Sequence, residues 1–393
     1  MTNTNAPVYN SLHFREYLDG GLFRLPPTSL QLPLPKDTSD TNVFADIRKV
    51  QLAYPAHPPT TIEDQILVTN YSHICEQHLQ CKVIAADFPG GRQRSSFRLH
   101  LDNGHTAIAS RRFDSGRARL EYRMMQALKA SNAPVPKCFA FNGMVLIQED
   151  LPGIRLSEAL KNATREQYTQ WLSLALDALA QIQQIATQQS LQHELPIVGC
   201  EPDWLIALID RTALLGNHTK LPCPLVPVAT IYERLVLLKP CFTKWDARPG
   251  NAMLEDNAQV RWFDWEHCCA RNPMDDMAWL LCDDAVPEYP EEEEQLIHTY
   301  LETFADGRNP EHAMAYLSIF GTHHTCIRIC RLLDEKAYDS WQAFEQRVNA
   351  IPGTLLPITQ QLCAKASRWA AKSPETAMLQ EWFLAVRERI AEM

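Results

Sequence analysis

Apolar and polar positions follow two different periods along this chain, and the periods divide it into three parts. Residues 1–60 are rich in Pro, Thr and Asn without a sustained period, so we interpret them as an N-terminal extension. Residues 61–150 combine helical spacing with strand-like alternation, whereas residues 151–393 are mostly helical. The pattern therefore predicts an α+β protein with a small mixed or antiparallel sheet lobe followed by a larger, mainly helical lobe.

The predicted sheet lobe begins with a helix and continues with strands. In "TIEDQILVTNYSHICEQHLQ", apolar residues recur at helical spacing after a Thr that can cap the helix. The segments "KVIAADF", "SSFRLHLD" and "HTAIASRRF" alternate apolar and polar positions, and the "DNG" between the last two is typical of a hairpin turn. A second helix is predicted in "GRARLEYRMMQALKAS", and two more strands in "APVPKCFAF" and "GMVLIQED".

Three polar residues in the helical part have a spacing that packing does not explain. Asp246, Asn251 and Asp264 lie between apolar runs in "TKWDARPGNAML" and "RWFDWEH". A buried carboxylate without partners is costly, so a packed core has no use for them. We place Asp246 and Asn251 on one loop and Asp264 at a strand end. Asn251 and Asp264 then supply oxygen ligands that suit Mg²⁺. Asp246 is then left to accept a proton from a hydroxyl, a division of labour that phosphoryl transfer needs.

Three segments in order, "KWDARPGN", "FDWEH" and "NPMDDMAWLL", carry a resemblance to a known family. They are similar to the H-G-D-x-H-P-G-N, I-D-W-E and D-P-x-x-D-L-A motifs of the aminoglycoside phosphotransferase and choline kinase-like family. The resemblance spans roughly residues 83–335 and implies a bilobal protein-kinase-like fold that uses ATP or GTP with Mg²⁺. It implies Asp246 as the catalytic base, Asn251 and Asp264 as Mg²⁺ ligands, and Asp276 as a buried carboxylate that braces the catalytic loop.

The resemblance also implies where the sheet lobe holds the nucleotide. The segment "FPGGRQRSSF" lies where the family has a glycine loop, whose backbone amides and hydroxyls would cradle phosphate oxygens. The strand "GMVLIQED" resembles the hinge between the lobes, whose backbone would meet the base. The residues implied in these two segments are Gly90, Gly91, Ser95 and Ser96 in the loop, and Gln148, Glu149 and Leu151 at the hinge.

Two positions depart from the family pattern. The family's strand Lys, which pairs with a helix Glu and grips the phosphates, is missing, and "AIASRR" offers Arg111 or Arg112 instead. The best register selects Arg111 as the partner of Glu121. Arginine keeps the positive charge, but its planar fork is not interchangeable with an ammonium group. Lys244 stands where the family has a His, which puts the bracing of the catalytic loop in doubt more than its chemistry.

The acceptor side of the site has weaker signals. Glu266, directly after the "FDW" segment, is a candidate for contact with the substrate, and so are His323 and His324 in "GTHHTCIRIC". His323, Cys326 and Cys330 share a helical face with a spacing that could hold a metal ion, but no fourth ligand is evident and a core helix explains them as well.

The acidic segment at residues 282–294, "CDDAVPEYPEEEE", contains seven acids and no base. It is either a solvated loop that leads into a helix N-terminus, where carboxylates favour the helix dipole, or an acidic lip that collects an amine-bearing substrate. The second alternative, together with the net charge of −10, favours slightly a small-molecule hydroxyl acceptor that carries an amino group.

Composition limits the classes of partner and the compartment. The net charge of −10 argues against a nucleic-acid phosphate backbone as the main partner. No run of 18 apolar residues and no secretory leader are evident, so we expect neither a membrane partner nor export. Twelve scattered cysteines without a disulfide rhythm predict reduced thiols and a cytoplasmic location. The oligomeric state is not readable.

Two alternatives to a small-molecule kinase remain open at this point. The missing Lys and the Lys-for-His exchange are compatible with a pseudokinase, a nucleotide- or partner-binding scaffold without turnover, although a scaffold has no need of the retained base. A second alternative is an enzyme of the same fold that transfers AMP or another group. The sequence lacks a P-loop and a Rossmann fingerprint, so a nucleotide site would be of the kinase kind.

Overall fold

The computed structural model describes residues 62–89, 96–348 and 350–393. The predicted N-terminal extension, residues 1–60, lies outside the described residues. None of the helices in the described ranges is both long enough and apolar enough to cross a membrane. All twelve cysteines are free thiols, as their spacing predicted.

The first lobe, residues 62–149, is built on one antiparallel sheet of five strands in the order β1-β2-β3-β5-β4. The strands are β1 Val83–Asp87, β2 Ser96–Leu101, β3 Thr106–Arg111, β4 Cys138–Asn142 and β5 Val145–Glu149. The sheet is wholly antiparallel, with Ser96 opposite Ser110 and Ser110 opposite Leu146. Residues of β3 therefore alternate between two faces, one towards the helix Ile62–Leu79 and one towards the cleft and the second lobe.

Two helices accompany the sheet, α1 Ile62–Leu79 and α2 Ser115–Ala130. Tyr71 and Cys75 of α1 are buried in one apolar cluster with Phe97 of β2, so α1 covers one face of the sheet. Helix α2 begins at Asp114, whose side chain accepts a hydrogen bond from the Arg117 amide and so caps the helix.

The second lobe, residues 154–393, is mainly helical. Its helices are α3 Leu156–Leu160, α4 Arg165–Gln188, α5 Pro202–Ile209, α6 Arg211–Thr219, α7 Val228–Leu235, α8 Met274–Leu281, α9 Pro290–Phe304, α10 Pro310–Lys336, α11 Trp341–Arg347, α12 Leu355–Ala370 and α13 Gln380–Ala391. Helix α4 starts with a capping box in which Thr164 and Gln167 satisfy each other's backbone amides. Helix α10 is buried over most of its 27 residues and forms the centre of the lobe.

Short strands in the second lobe hold the loops that carry the predicted motif. They are β6 Ile154–Arg155, β7 Cys241–Thr243, β8 Ala252–Leu254, β9 Val260–Trp262 and β10 Cys269–Arg271. Strands β6, β8 and β9 form one sheet, and β7 pairs with β10 in another. The loop from β7 to β8 and the loop from β9 to β10 thus both run between the two sheets, and because β7 pairs with β10 and β8 with β9, both ends of the two loops are held together.

The connection between the lobes turns at Gly153. This residue has a φ of +101°, and a Cβ atom there would lie 2.1 Å from the carbonyl oxygen of Leu254. Only glycine allows this close approach, and it lets β6 pair with β8 directly after the hinge. The hinge is therefore joined rigidly to the strand that follows the catalytic loop.

Candidate active site

The β7–β8 loop, residues 244–251, brings Asp246 and Asn251 together. The side-chain amide of Asn251 donates to the Asp246 carboxylate over 2.7 Å and to the Asp246 carbonyl oxygen over 3.1 Å. Asp246 has a φ of 63°, a conformation that costs free energy and needs such support. Burial raises the pKa of the Asp246 carboxyl, against the opposing effects of Arg248 and Lys244. The loop thus presents a half-buried, oriented carboxylate whose basicity is increased.

Asp276 lies where the resemblance implied, beneath this loop. Its carboxylate accepts hydrogen bonds from the backbone amides of Lys244 and Trp245, each over 2.8 Å, and from Gln183 of α4 over 2.9 Å. Burial raises the pKa of Asp276 to about 6, although these hydrogen bonds act in the opposite direction. The carboxylate fixes the start of the catalytic loop to α8 and α4.

The side chain of Lys244 also braces the loop. Its ammonium group donates to the Asp264 carbonyl oxygen over 2.8 Å and to the Asp246 carbonyl oxygen over 3.4 Å. The side chain is 1% exposed and lies against the faces of Trp262 and Trp265. Burial lowers the pKa of Lys244 against the three nearby aspartates. The exchange of His for Lys therefore retains a brace at this position.

Asp264 and Glu121 converge on one arginine, Arg112. The guanidinium donates to both carboxylate oxygens of Glu121, over 2.6 and 2.7 Å, and to Asp264 over 2.8 Å. A further hydrogen bond of 3.2 Å reaches Glu266, where burial and the nearby carboxylates raise the pKa to about 7. Glu121 also accepts from the Trp265 amide over 3.0 Å, which ties α2 to the β9–β10 loop.

The prediction that Arg111 pairs with Glu121 is wrong, and Arg112 takes that place. Ile108, Ser110 and Arg112 all line the cleft between the lobes, because alternate residues of a strand share a face. Arg111 therefore points to the opposite face, where its guanidinium lies 5.9 Å from the ring centre of Phe113. Both arginines were candidates in the sequence, and the strand register that we predicted differs from the observed one by one residue.

The cleft between the lobes has an empty volume of about 740 Å³, counting its open mouth. Its apolar walls come from Ile108 above and from Leu151, Met253 and Phe263. The charged residues Arg98, Arg112, Asp150, Arg155 and Asp264 also line it. An aromatic base fits between apolar walls, and anionic phosphates fit beside arginines.

Some of the residues predicted for the hinge and the phosphate loop line the cleft, and others lie outside the described residues. Gln148, Glu149, Leu151 and Ser96 line the cleft. The Glu149 side chain is bound by Arg261 and by the Lys137 amide, and its own backbone amide donates to the Lys137 carbonyl oxygen over 2.8 Å. The Ser96 hydroxyl lies 3.1 Å from the Ser110 hydroxyl. Gly90, Gly91 and Ser95 lie outside the described residues.

The two predicted histidines of α10 are both buried. The Nδ1 atom of His323 lies 2.9 Å from the Ile319 carbonyl oxygen, which ties the ring to its own helix in the core. His324 packs beside Trp279, with ring centres 4.3 Å apart and the ring planes tilted by 54°. Among the described residues, no group of three or more His, Cys, Asp and Glu side chains could hold a metal ion, so the Cys326–Cys330 face is part of the core.

The family model for the phosphotransferase enzyme family matches residues 85–313. The chain belongs to this family. The match includes all three motifs of the second lobe and most of the first lobe, so the family resemblance and the protein-kinase-like fold predicted from the sequence are confirmed. No curated protein matches the chain.

Solved structures of other phosphotransferases are similar to this member of the family. An aminoglycoside phosphotransferase from Alicyclobacillus acidocaldarius is 12% identical, with 87% of this chain and 100% of that chain covered and a TM-score of 0.49. An amicoumacin kinase in complex with AMP-PNP and Ca²⁺ is 14% identical, with coverages of 77% and 93% and a TM-score of 0.47. A spectinomycin phosphotransferase in complex with ADP is 12% identical, with coverages of 75% and 98% and a TM-score of 0.48.

Proposed function

We propose that the chain transfers the γ-phosphoryl group of ATP or GTP to a hydroxyl of a small molecule in the cytoplasm. The observation that carries this proposal is the half-buried Asp246 carboxylate, which Asn251 orients and whose loop is braced by Asp276 and Lys244. A scaffold without turnover has no use for a basic carboxylate held in a costly backbone conformation.

The nucleotide would lie in the cleft. Its base would pack between Ile108 and the side chains of Met253 and Phe263, next to the hinge backbone at Gln148. Its phosphates would meet Arg112 and the hydroxyls of Ser96 and Ser110, with Gly90, Gly91 and Ser95 proposed as the phosphate loop. Glu121 holds Arg112 in place, as the Lys–Glu pair does in the family pattern.

Asn251 and Asp264 fit a Mg²⁺ ion as far as their donor atoms are concerned. Asn251 makes its hydrogen bonds through the amide nitrogen, which leaves its oxygen as the atom to face a cation. Asp264 offers a hard carboxylate oxygen from the adjacent loop. Bound Mg²⁺ would neutralise charge on the phosphates, and the remaining ligands would be phosphate oxygens and water.

Asp246 would act as the general base. It would accept the proton of the acceptor hydroxyl while the hydroxyl oxygen bonds to the γ-phosphorus and the bond to the β-phosphate oxygen breaks. The products are a phosphate ester of the acceptor, a nucleoside diphosphate and a proton. A raised pKa favours this role because a stronger base takes up the proton more readily.

The pseudokinase alternative loses its main support from the position of Arg112. The missing Lys suggested that the phosphate grip was lost, but Arg112 makes the expected pair with Glu121. Lys244 likewise replaces the family His as a brace. We therefore do not advance a second function.

The decisive experiment measures nucleoside diphosphate release by the purified full-length chain with Mg·ATP or Mg·GTP. The acceptors are aminoglycosides, choline, ethanolamine, homoserine and sugars, and Asp246→Asn is measured in parallel. We expect acceptor-dependent turnover that falls by about 10²- to 10⁴-fold in the variant. Calorimetry should show that both proteins bind the nucleotide with similar affinity. Absence of nucleotide binding, or equal turnover in the variant, would contradict the proposal.

A further inference from the structure

A side-chain amide in the nucleotide cleft has no hydrogen-bonding partner in the described part of the protein. Gln148 lies near the end of β5, lines the cleft and is only 6% exposed. Its side chain makes no hydrogen bond with any of the residues that the structure describes. Most buried polar side chains are hydrogen-bonded, and an amide offers two donor hydrogens and an acceptor oxygen. A ligand in the cleft can satisfy these groups.

The register of the sheet turns the Gln148 side chain towards the cleft. Gln148 lies directly opposite Ile108 of β3, and Ile108 lies opposite Arg98 of β2. Residues that are directly opposite each other in antiparallel strands share a face of the sheet. Ile108 and Arg98 both line the cleft, so the three residues form one row across its wall.

This row places the amide at the edge of the proposed base site. The base is proposed to pack under Ile108, with Met253 and Phe263 on its other side. Neighbouring strands are about 4.8 Å apart, so a planar base under Ile108 extends towards β5 and meets Gln148 with its edge. The hydrogen-bonding groups of a purine all lie on its edge, whereas its two faces stack on apolar groups.

The backbone of Gln148 belongs to the interior of the sheet, so its side chain is the group that faces a ligand. Strand β5 lies between β3 and β4, and Gln148 is paired with Ile108 on one side and with Cys138 on the other. The next amide along the strand, that of Glu149, donates to the Lys137 carbonyl oxygen over 2.8 Å. A base edge that reaches this part of β5 therefore finds its polar contact in the Gln148 side chain.

The charged groups on the same wall are engaged with one another. Arg98 donates to Asp150 through Nε over 2.5 Å and through Nη2 over 3.2 Å, and Thr106 donates to Asp150 over 2.8 Å. The Nη1 atom of Arg98 lies 3.8 Å from Asp87. These contacts do not include Gln148, so they do not fix its amide in one orientation.

An amide without a fixed orientation matches two kinds of purine. Adenine presents the hydrogens of its 6-amino group beside the N1 acceptor, whereas guanine presents its 6-oxo oxygen beside the N1 hydrogen. The glutamine amide can pair with either edge, because a half-turn about its last side-chain bond exchanges its oxygen and its nitrogen. A side chain with donors alone or acceptors alone would favour one of the two bases.

We propose that the side-chain amide of Gln148 binds the purine at its 6-position edge, and that the chain binds ATP and GTP with similar affinity. This inference rests on the proposed phosphotransferase function and adds the group that reads the nucleotide base. Gln148 then contacts the base and takes no part in the transfer of the phosphoryl group.

Three nucleotides test the contact in the wild-type, full-length chain. Calorimetry with Mg²⁺ would measure Kd for ATP, for GTP and for purine riboside triphosphate, which carries only hydrogen at position 6. We expect the Kd values for ATP and GTP to lie within about 10-fold of each other. Kd for purine riboside triphosphate should be at least about 5-fold higher than that for ATP, because this analogue leaves the buried amide oxygen without a donor.

Either of two results with the wild type would overturn the inference. One is a preference of more than about 10-fold between ATP and GTP, which would mean that the amide is fixed in one orientation. The other is a difference of less than about 5-fold between ATP and purine riboside triphosphate. Binding of none of the three nucleotides would instead contradict the proposed function, and with it the inference.

A variant assigns the effect to Gln148. Gln148→Met removes the amide and nearly conserves the volume of the side chain, so ATP and purine riboside triphosphate should differ in Kd by less than about 3-fold. Because this comparison is a ratio within one protein, a general loss of stability does not produce it. The wild-type ratio in Gln148→Met would overturn the assignment, and the wild-type series stands on its own if the variant does not fold.

The matched control is Gln126→Met, which removes another amide from the same lobe. Gln126 of α2 donates to the Cys138 carbonyl oxygen over 2.9 Å instead of lining the cleft. We expect this variant to keep the wild-type ratio between ATP and purine riboside triphosphate. A ratio reduced as much as in Gln148→Met would show that the effect does not come from contact with the base.

Discussion

The ammonium group of Lys244 lies 2.8 Å from the backbone carbonyl oxygen of Asp264 and 3.4 Å from that of Asp246. Both aspartates have a φ of 63°, so a single buried cation supports two of the positions where the site departs from ordinary backbone conformation. The base and the implied metal ligand sit on different loops. Lys244 therefore sets the distance between them as well as the conformation of each.

We expect Lys244→Met to lower both activity and stability. The substitution keeps the bulk but leaves the Asp264 carbonyl oxygen without the Lys244 donor and the Asp246 carbonyl oxygen with Asn251 alone, at a cost of about 1–3 kcal/mol in the free energy of unfolding. Small displacements of a reacting group can reduce kcat by up to about 100-fold, and a fall of at least about 10-fold is expected here. Chemical denaturation and steady-state turnover measure the two effects.

The control is Lys244→His, which restores the residue of the family pattern. A histidine donates one hydrogen bond where Lys244 donates two, so this variant should lie between the wild type and Lys244→Met in both measurements. Wild-type kcat in Lys244→Met would show that the two loops keep their positions without the ammonium group.

The order of elements and the catalytic loop were accessible from the sequence because both depend on local patterns. Alternation predicted the five strands, and the spacing of Asp246 and Asn251 placed both side chains on one turn. The partner of Glu121 was not accessible, since a shift of one residue at the end of β3 exchanges Arg111 for Arg112. Asp283 pairs with both Arg248 and Arg328, which are distant in the sequence. The periodicity of apolar residues within a single segment does not predict such a contact.

Arg112 and Arg111 form a natural pair of variants because they are adjacent, equal in charge and on opposite faces. We expect Arg112→Gln to raise KM for the nucleotide by at least about 10-fold, because it removes the charge proposed to face the phosphates and leaves Glu121 without its charged partner. Arg111→Gln should change this KM by less than about 3-fold. Steady-state turnover at varied nucleotide concentration measures both KM values, and a larger effect at Arg111 would contradict the register of β3.

Gly153 should be intolerant of a side chain. In Gly153→Ala the added Cβ would approach the Leu254 carbonyl oxygen, and the residue would keep a φ that alanine rarely adopts. We expect a loss of at least about 2 kcal/mol in the free energy of unfolding, measured by chemical denaturation. Gly143→Ala is the control, because Gly143 also has a positive φ but no atom lies within 4 Å of the added Cβ. This variant should lose about 1 kcal/mol, from the backbone alone, and equal losses would mean that the β6–β8 approach is not rigid.

Asp276 provides a prediction for the dependence of stability on pH. Burial raises its pKa to about 6 in the folded chain, above the ordinary value of about 4 in the unfolded chain. Between these values the folded chain holds a proton that the unfolded chain has released, so this group's contribution to stability is complete at low pH and is lost as pH rises through about 6. The variant Asp276→Asn cannot ionise at this position and should lack this change.

The free energy of unfolding of the wild type, relative to that of the variant, should therefore fall by about 2 kcal/mol from about pH 4 to about pH 7. Denaturation curves of both proteins at the two pH values measure the difference. A relative stability of the wild type that increases over this range would mean that the amides of Lys244 and Trp245 stabilise the ionised carboxylate by more than burial disfavours it.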